Sequence, residues 1–369
     1  MRILVVNAGS SSLKLSVVVQ PGDELAGAEE LDRGADATRH AGDDDLQAAL
    51  GRLGAASVDA VGYRVVHGGE HHAPAIADDE LVTEIERLDA LAPLHNAVAA
   101  AAIRDLRERL PDIPHVACFD TAFHATLPPS ARTYALPSEW IARFGIRRYG
   151  FHGLSVRWAA ERAAALLDRD PGTLQLVVAH LGSGASVTAV RDGASVATSM
   201  GMTPLEGLVM GTRSGSIDPG IVLHLLRHGI GPEELTEGIT HDGGLVALSG
   251  GRAGMRELEA AAAAGDDRAG SAIEVFVGRA AAEIGAAATA LDRLDALVFT
   301  GGIGARSTTV RQAICRRLGP LGVPVPIDAP AGAGDRVAAA GIPAVVVVTA
   351  REELVIARDV ARVVTNRPN

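Results

Sequence analysis

The sequence predicts an α/β protein made of two similar domains, and three observations lead to that prediction. Short apolar strands alternate with longer helical stretches along the chain, which is typical of sheets with helical crossovers. A strand–turn–strand unit opens each half, the first beginning at Ile3–Val6 and the second at Leu174–His180. With 369 residues, the chain is long enough for two domains that each bury a core. Two similar halves predict a ligand cleft between them.

Strands are predicted where short runs of apolar residues stand between glycine, proline or polar residues. The predicted strands are Ile3–Val6, Leu13–Val19, Ala60–Val66, His115–Phe119, Leu174–His180, Ala185–Val190, Ala296–Thr300 and Ala344–Val348. Helices are predicted where apolar residues recur with helical spacing over longer stretches. The predicted helices are Asp44–Leu53, His95–Leu110, Leu154–Leu167, Pro219–His228, Glu257–Ala264, Ala269–Leu291, Ser307–Leu318 (with Ser307 as N-cap) and Glu352–Val363.

Composition and charge exclude several classes of function. The chain carries 34 Lys and Arg against 45 Asp and Glu, for a net charge of −11, and it has no basic block, so a nucleic-acid partner is not expected. The longest strongly apolar run, Ala344–Val348, is too short to cross a bilayer, and the first residues lack the pattern of a signal peptide. Cys118 and Cys315 form no metal or redox motif. These features predict a cytoplasmic protein with free thiols and no membrane partner.

Three turns rich in glycine and hydroxyl side chains follow predicted strands in distant parts of the chain. They are Asn7–Lys14, His180–Gly184 and Thr300–Gly304. Glycine lets backbone N–H groups approach an anion closely because it has no Cβ. Three such turns predict a nucleotide held at several points, and therefore phosphoryl transfer.

Seven motifs together resemble the acetate kinase family, within the actin-like superfamily of ATP-using phosphotransferases. They occur in the family's order and are Asn7–Lys14 (NAGSSSLK), Tyr63–Gly69 (YRVVHGG), Phe119–His124 (FDTAFH), Arg148–Gly153 (RYGFHG), Met210–Gly215 (MGTRSG), Phe299–Gly304 (FTGGIG) and Glu352–Arg358 (EELVIAR). The resemblance implies two actin-like, ribonuclease H-like domains related by internal duplication. It also implies reversible, Mg²⁺-dependent transfer of a phosphoryl group from ATP to acetate, directly and in line.

The resemblance implies roles for four charged or polar residues near the reacting groups. Arg64 would hold the carboxylate of acetate, since a guanidinium can grip a carboxylate with two parallel hydrogen bonds. Arg213 would stabilise the transition state, and His152 would donate a hydrogen bond to the migrating phosphoryl group. Asp120 would orient the metal or the arginines rather than act as a base, because acetate is already ionised near pH 7.

The same resemblance implies a metal site, an acceptor pocket and a nucleotide site. Asn7 and Glu352 would bind Mg²⁺, with Mn²⁺ as an alternative ion, through their oxygen atoms. The residues implied around the methyl group of acetate are Val66, Leu94, Phe151 and Pro204. Those implied to bind ATP or ADP are Lys14, His180, Leu181, Gly182, Ser183, Gly184, Arg256, Gly301, Gly302, Ile303 and Gly304.

Some residues depart from the family's pattern, and several of these lie on the nucleotide side. Ser183 stands where the family has asparagine, and Gly254 stands where it has aspartate. Ala305 and Arg306 replace a common Glu-Asn pair. Loss of one hydrogen bond to adenosine costs about 1 kcal/mol. These departures predict weaker nucleotide binding and therefore a higher KM for the nucleotide. They leave the identity of the phosphoryl donor open.

The predicted domains are residues 1–149 with about 351–369, which carry the acceptor and metal residues, and residues 150–350, which carry the nucleotide turns. The family is homodimeric, so a dimer with its interface in the second domain is expected. Three alternatives stay open: propionate or another short-chain acid as acceptor, pyrophosphate as donor, and a nucleotide-binding sensor without turnover. The intact set Arg64, Asp120, His152 and Arg213 disfavours the sensor, because a sensor has no need of transition-state groups.

Replacing Arg213 with alanine tests the implied transition-state role. Removal of one preorganised donor of this kind typically lowers kcat by about 10²–10³-fold. We expect Arg213→Ala to lower kcat by roughly that factor while the KM values for ATP and acetate change little. Steady-state kinetics measure these quantities. A kcat close to that of the wild type would remove Arg213 from the transition state.

Overall fold

Two six-stranded sheets carry the fold. A computed structural model of the chain describes residues 1–8, 12–32, 43–92, 95–327 and 333–366. The strands in those ranges are β1 (Arg2–Ala8), β2 (Ser12–Val19), β3 (Glu24–Asp32), β4 (Ala60–Val65), β5 (Ala75–Ile76), β6 (His115–Phe119), β7 (Gln175–Leu181), β8 (Ala185–Arg191), β9 (Ala194–Thr198), β10 (Ala296–Thr300), β11 (Arg336–Ala339) and β12 (Ala344–Val347). The helices there are α1 (Asp43–Arg52), α2 (Asp79–Arg87), α3 (Asn96–Arg109), α4 (Pro129–Arg132), α5 (Ser138–Phe144), α6 (Gly153–Leu166), α7 (Pro219–Arg227), α8 (Pro232–Thr240), α9 (Gly244–Ser249), α10 (Met255–Ala263), α11 (Asp267–Ala288), α12 (Gly301–Arg306), α13 (Thr308–Arg317) and α14 (Glu352–Thr365).

The two sheets share one strand pattern. In the first sheet, β1, β2 and β3 form an antiparallel meander, β4 and β6 continue from β1 in parallel, and β5 closes the edge antiparallel to β6. In the second sheet, β7, β8 and β9 form the meander, β10 and β12 continue from β7 in parallel, and β11 closes the edge antiparallel to β12. The two orders match strand for strand, which confirms the predicted internal duplication and the α/β fold class.

The chain divides into two compact units. The first unit comprises Met1–Ala125, Phe151–Leu154 and Arg351–Asn369, and the second comprises Thr126–Gly150 and Ser155–Ala350. The second unit therefore includes Thr126–Gly150, of which the sequence analysis placed all but Gly150 in the first domain. Hydrogen bonds within the second unit hold this segment: the Thr126 hydroxyl donates to the Ser195 carbonyl at 2.8 Å, and Arg148 Nη1 donates to the Ser199 carbonyl at 2.9 Å. These partners lie far along the chain, so local sequence could not indicate this boundary.

The predicted strands and helices are present, with ends displaced by a few residues. Ser307 is the N-cap of α13, where its side chain accepts a hydrogen bond from the Val310 N–H. Within the described residues, the sequence analysis missed four strands (β3, β5, β9 and β11) and six helices (α2, α4, α5, α8, α9 and α12). Strand β3 contains acids and Gly27, residue types that are depleted in strands. It forms because β2 offers a pairing partner along its length.

The prediction of a turn at Thr300–Gly304 is wrong, because Gly301 begins helix α12. Gly301 has a φ of 78°, a value that favours glycine, and this lets the chain bend sharply from β10 into the helix. A Cβ at Gly301 would lie 2.6 Å from the Leu181 carbonyl oxygen. Gly301 therefore permits a tight strand-to-helix junction. Of the turn predicted at Asn7–Lys14, residues 9–11 lie outside the described residues, and the others belong to β1 and β2.

Helix α14 lies against the first sheet and brings the end of the chain back to the first unit. A Cβ at Gly62 in β4 would lie 2.6 Å from Cγ2 of Val360 and 2.7 Å from Cγ2 of Ile356. Both α14 side chains are fully buried. This packing places Glu352, the first residue of α14, in the unit that contains Arg64, as a metal role for Glu352 requires.

Replacing Gly62 with alanine tests this packing. The added methyl group meets β-branched side chains that cannot move away freely, and overpacking of a core typically costs about 1–3 kcal/mol. We expect Gly62→Ala to lower the free energy of unfolding by that amount, measured by urea denaturation. Gly51→Ala is the matched control, because Gly51 lies in α1 with no atom near the Cβ position. It should raise the stability slightly, by up to about 1 kcal/mol. Equal effects of the two changes would contradict the packing of α14 on β4.

Candidate active site

Three candidate residues of the first unit meet at the carboxyl ends of neighbouring parallel strands. Asn7 lies near the end of β1, Arg64 near the end of β4, and Asp120 directly follows β6. Strands β1, β4 and β6 are adjacent and parallel, so their carboxyl ends share one edge of the sheet. Open α/β sheets place ligand sites at this edge. Sheet topology thus gathers residues that are far apart in the sequence.

A two-pronged ion pair joins Arg64 and Asp120. Arg64 Nη2 donates to Asp120 Oδ2 at 2.6 Å, and Nε donates to Oδ1 at 3.1 Å. The Asp120 side chain is fully buried, and that of Arg64 is 16% exposed. A buried carboxylate is tolerated only when it is paired and hydrogen-bonded. Asp120 uses the Nε–Nη2 edge of the guanidinium, which leaves the Nη1–Nη2 edge as the face that a second carboxylate can approach.

Asn7 and Glu352 complete the cluster around Arg64. Asn7 Nδ2 donates to Glu352 Oε2 at 2.9 Å, and Asn7 Oδ1 accepts from Arg64 Nη1 at 3.3 Å. Arg64 Nε lies 3.5 Å from Glu352 Oε2. The structure therefore brings the two predicted metal ligands into direct contact. Their amide and carboxylate oxygens are donors that suit Mg²⁺, which keeps several waters and needs few protein ligands.

The other titratable groups of the described residues do not suggest a competing metal centre. Within residues 1–8, 12–32, 43–92, 95–327 and 333–366, no group of three or more His, Cys, Asp or Glu side chains is arranged to hold a metal ion.

Two neighbouring carboxylates fix the charge of Arg64. Burial lowers the pKa of Arg64, but the adjacent Asp120 and Glu352 carboxylates outweigh this effect and raise that pKa well above its ordinary value. The Arg64 guanidinium is therefore positively charged at every physiological pH.

His152 is held beside this cluster by an unusual backbone. Its φ is 59°, a left-handed conformation that is uncommon for a residue other than glycine. The next residue, Gly153, donates its N–H to the Asp120 carbonyl at 3.0 Å, and a Cβ there would lie 2.1 Å from that oxygen. On the other side, His124 Nε2 donates to the Phe151 carbonyl at 2.9 Å. Such strain persists where surrounding contacts determine the conformation, as at functional sites.

The predicted acceptor-pocket residues fall into both units. Val66 and Phe151 are buried residues of the first unit, and the Phe151 ring meets the His67 ring edge-on at 5.4 Å. Pro204 is half-buried in the second unit. Leu94 lies outside the described residues. The structure therefore does not gather these four residues in one unit.

Lys14 faces the same side of the first sheet as Asn7. The two residues are directly opposite in the antiparallel β1–β2 ladder, and paired residues project to the same face. The Lys14 side chain is 57% exposed and its Nζ lies 3.5 Å from Glu30 Oε1. An exposed ion pair of this kind contributes little to stability, so Lys14 can exchange Glu30 for another anion at small cost.

Arg213 is the candidate cation of the second unit. Its Nη1 donates to the Pro204 carbonyl at 2.6 Å, and burial lowers its pKa from the ordinary value. Within the described part of the chain, no carboxylate pairs with it. A half-buried guanidinium that is held by a neutral carbonyl is suited to receive an anionic ligand.

Two of the predicted nucleotide segments come together in the second unit. The Gly182 N–H donates to the Gly184 carbonyl at 3.0 Å, which closes the turn between β7 and β8. The N–H of Gly302 lies 3.8 Å from where a Gly182 Cβ would be. Ile303 and Gly304 continue α12 from this point. The Gly211 N–H donates to the Ser183 carbonyl at 2.9 Å, so the loop that carries Arg213 also joins this turn.

Ser155 is a residue of this cluster that the sequence analysis missed. Its hydroxyl is hydrogen-bonded to His180 Nδ1 at 2.8 Å, which fixes the orientation of the His180 ring. No local signal could have found this contact, because it joins α6 to β7. Arg256, by contrast, is exposed on α10, and no described contact places it with the turns.

The fold and these residues define a class: an α/β protein with two ribonuclease H-like halves, one of which gathers Asn7, Arg64 and Asp120 at neighbouring strand ends. The chain belongs to the acetokinase family, whose sequence model matches residues 32–358. It is 44% identical to the acetate kinase of Deinococcus radiodurans, over 99% of this chain and 98% of that protein. It is 42% identical to the acetate kinase of Chromobacterium violaceum, over 98% of each chain.

Solved structures of an acetate kinase and a propionate kinase superpose on nearly the whole chain. Acetate kinase from Porphyromonas gingivalis matches with a TM-score of 0.87 and 32% identity, over 98% of this chain and 99% of that chain. A propionate kinase from Francisella tularensis matches with a TM-score of 0.85 and 33% identity, over the same shares. Among the helices in the described ranges, none has the length and hydropathy needed to cross a membrane.

His124 makes the stability of the protein depend on pH. Its burial lowers its pKa from 6.5 to about 4. Between pH 6.5 and 4 the unfolded chain binds a proton at His124 and the folded chain does not, so stability falls as the pH falls through this window. We expect the free energy of unfolding of the wild type to fall by about 3 kcal/mol more than that of His124→Gln between these pH values, measured by urea denaturation.

The variant and its control isolate this one group. Glutamine keeps a donor for the Phe151 carbonyl. His72→Gln, at an exposed histidine of the same unit, is the control, and parallel curves for wild type and His124→Gln would contradict the assignment.

Proposed function

We propose that the protein is an acetate kinase that transfers the γ-phosphoryl group of ATP to acetate, reversibly, giving acetyl phosphate and ADP. The observation that carries the proposal is the similarity to acetate kinases over nearly the whole chain. The candidate residues support it, since Arg64, Asp120, His152 and Arg213 are all present. A chain that had lost turnover would have no need of two arginines at the reacting groups.

In this proposal Arg64 binds the carboxylate of acetate through its Nη1–Nη2 edge. Asp120 holds the other edge, so the guanidinium is fixed before the substrate arrives. Preorganised charge avoids the cost of reorganisation during the reaction. Asp120 need not remove a proton, because the acetate oxygen that attacks is already ionised. Val66, Phe151, Pro204 and Leu94 would contact the methyl group.

Transfer forms a bond between an acetate oxygen and the γ-phosphorus while the bond from that phosphorus to the bridging oxygen of ADP breaks. The electron pair of the broken bond stays with ADP. Negative charge spreads over the equatorial oxygens of the migrating group, and catalysis consists mainly of positioning and charge stabilisation. Arg213 and the His152 ring would donate to those oxygens. Both residues are held in place by the backbone contacts described above.

Asn7 and Glu352 would hold the divalent ion, Mg²⁺ by preference and Mn²⁺ as the alternative. When bound, the ion supplies positive charge beside the phosphates of ATP. Lys14 would contact a phosphate from the same face of the sheet. In the second unit, the turn His180–Gly184 would contact the phosphates of the nucleotide and Gly301–Gly304 would contact its adenosine, and Arg256 would be a further nucleotide contact. The departures from the family's pattern on the nucleotide side predict a raised KM for ATP rather than loss of activity. These departures are Ser183, Gly254, Ala305 and Arg306.

We also propose a homodimer with its interface in the second unit. The supporting observation is helix α7, on which Ile221, Leu223 and Leu226 are 47%, 52% and 41% exposed. Apolar side chains grouped on one helix are costly in water and are typical of subunit contacts.

We propose the cytoplasm as the compartment of the protein, because the cytoplasm supplies ATP and Mg²⁺ and keeps thiols reduced.

The function is tested by trapping acyl phosphate as the hydroxamate. The purified protein with Mg²⁺ is offered acetate, propionate or butyrate, each with ATP, GTP or pyrophosphate. We expect the highest kcat/KM with acetate and ATP. Turnover only with propionate or only with pyrophosphate would instead identify that alternative substrate, and no turnover with any pair would overturn the proposal.

Arg64→Lys tests the acceptor site. Lysine keeps the charge but loses the planar two-pronged geometry of the guanidinium. The KM for acetate should therefore rise at least about tenfold, while the KM for ATP changes little.

A further inference from the structure

A loop of the second unit holds the guanidinium of Arg213. Residues 199–207 follow β9, and we name them the arginine-holding loop. The Pro204 carbonyl in this loop accepts from Arg213 Nη1 at 2.6 Å. Within the described residues this is the hydrogen bond that orients the Arg213 side chain. The position of the guanidinium therefore depends on what fixes the loop.

Glu206 belongs to the arginine-holding loop, and its side chain ties the loop to Tyr134 and Arg148 of the second unit. Its Oε2 accepts a hydrogen bond from the Tyr134 hydroxyl, and its Oε1 accepts from Arg148 Nη2 at 2.7 Å. The Tyr134 oxygen also accepts from the Met202 N–H at 3.2 Å. One phenol thus connects the side chain at one end of the loop with the backbone nearer the other end. Pro204 lies between these two attachment points.

Arg148 adds a second set of bonds to the same loop. Its Nη1 donates to the Ser199 and Met200 carbonyls, each at 2.9 Å. Its guanidinium lies over the Tyr134 ring, 5.3 Å from the ring centre. Charged hydrogen bonds and a cation–π contact together hold the loop at its beginning. Tyr134 and Arg148 both belong to Thr126–Gly150, the segment that the second unit includes.

Gly201 shows how tightly this arrangement is built. A Cβ there would lie 2.0 Å from Glu206 Oε2 and 2.3 Å from the Tyr134 hydroxyl oxygen. Only glycine leaves room for the two polar groups to meet. Burial raises the pKa of Tyr134 above its ordinary value, and the hydrogen bond to Glu206 raises it further. The phenol therefore stays protonated and remains a donor to Glu206 at physiological pH.

We propose that Tyr134 and Glu206 are positioning residues for Arg213. They fix the arginine-holding loop, and the Pro204 carbonyl of that loop then holds the guanidinium at the place where the phosphoryl group is transferred. The inference rests on the proposed function. Neither residue needs to touch substrate for this role. A misplacement of about 1 Å in a reacting site can cost about 10²-fold in rate, so a loop that holds a catalytic guanidinium must be restrained.

Tyr134→Phe is the test variant, because it removes the hydroxyl and keeps the ring beneath Arg148. We expect kcat to fall about tenfold, the change that corresponds to loss of a hydrogen bond to a charged group. The KM values for acetate and ATP should change less than twofold. Tyr149→Phe is the matched control: it also removes a hydroxyl hydrogen bond, to the Gly145 carbonyl at 3.3 Å, and it keeps the backbone N–H that donates to the Gly201 carbonyl of the loop. Its kcat should equal that of the wild type.

A double-mutant cycle with Arg213→Ala separates positioning from a general structural effect. If Tyr134 acts through Arg213, then Tyr134→Phe costs nothing further once Arg213 is alanine. Additive losses in the double variant would overturn the proposal, as would an unchanged kcat in Tyr134→Phe. Glu206→Gln keeps acceptor oxygen and packing but loses the charge, and it should give a smaller loss with the same non-additivity.

Amide hydrogen exchange tests the same inference without activity. The Met202 amide donates to the Tyr134 hydroxyl, so its exchange should accelerate at least about tenfold in Tyr134→Phe and stay unchanged in Tyr149→Phe. Unchanged exchange at Met202 would show that Tyr134 does not restrain the loop and would overturn the proposal. If the wild type lacks kinase activity while Tyr134→Phe still accelerates exchange at Met202, the result contradicts the proposed function and leaves the inference about the loop standing.

Discussion

The buried pairing of Arg64 with Asp120 is the interaction on which the first unit depends. A fully buried carboxylate is unstable without a charged partner, and Arg64 is that partner at hydrogen-bond distance. The same guanidinium also contacts Asn7 and Glu352. Three strand ends and the first residue of α14 are therefore tied to one side chain. The candidate chemistry and the integrity of the fold share this cluster, so a change at Arg64 affects both.

In the proposed function, the equivalent edges of the two duplicated sheets bind different ligands. In the first unit the ends of the parallel strands carry polar and charged side chains, whereas in the second unit β7 and β10 are each followed directly by a glycine, Gly182 and Gly301. A carboxylate is gripped well by a planar guanidinium, and phosphates are bound well by converging backbone N–H groups. One folding pattern can thus supply an acceptor site and a nucleotide site. This division fits membership in a family of kinases.

Arg213 presents a different physical problem from Arg64. Arg64 is fixed by a carboxylate, whereas the described residues offer Arg213 only the neutral Pro204 carbonyl. A carboxylate at Arg213 would compete with an anionic ligand for its charge. Orientation by a carbonyl leaves that charge uncompensated, and the restraint must then come from the loop that bears the carbonyl. Tyr134, Arg148 and Glu206 supply such restraint within the second unit.

The sequence alone determined the fold class, the duplication, the main strands and helices, and the family, because apolar periodicity and local motifs are properties of contiguous residues. It also indicated Asn7, Arg64, Asp120 and Glu352 through the motifs that contain them. Tertiary structure alone decided that these four side chains touch, since strand order and the return of α14 bring together residues from opposite ends of the chain. It likewise decided that Gly301 begins a helix, that β3 pairs despite its acids, and that Thr126–Gly150 belongs with the second unit. Each of these outcomes depends on contacts with residues distant in sequence, which local propensity does not encode.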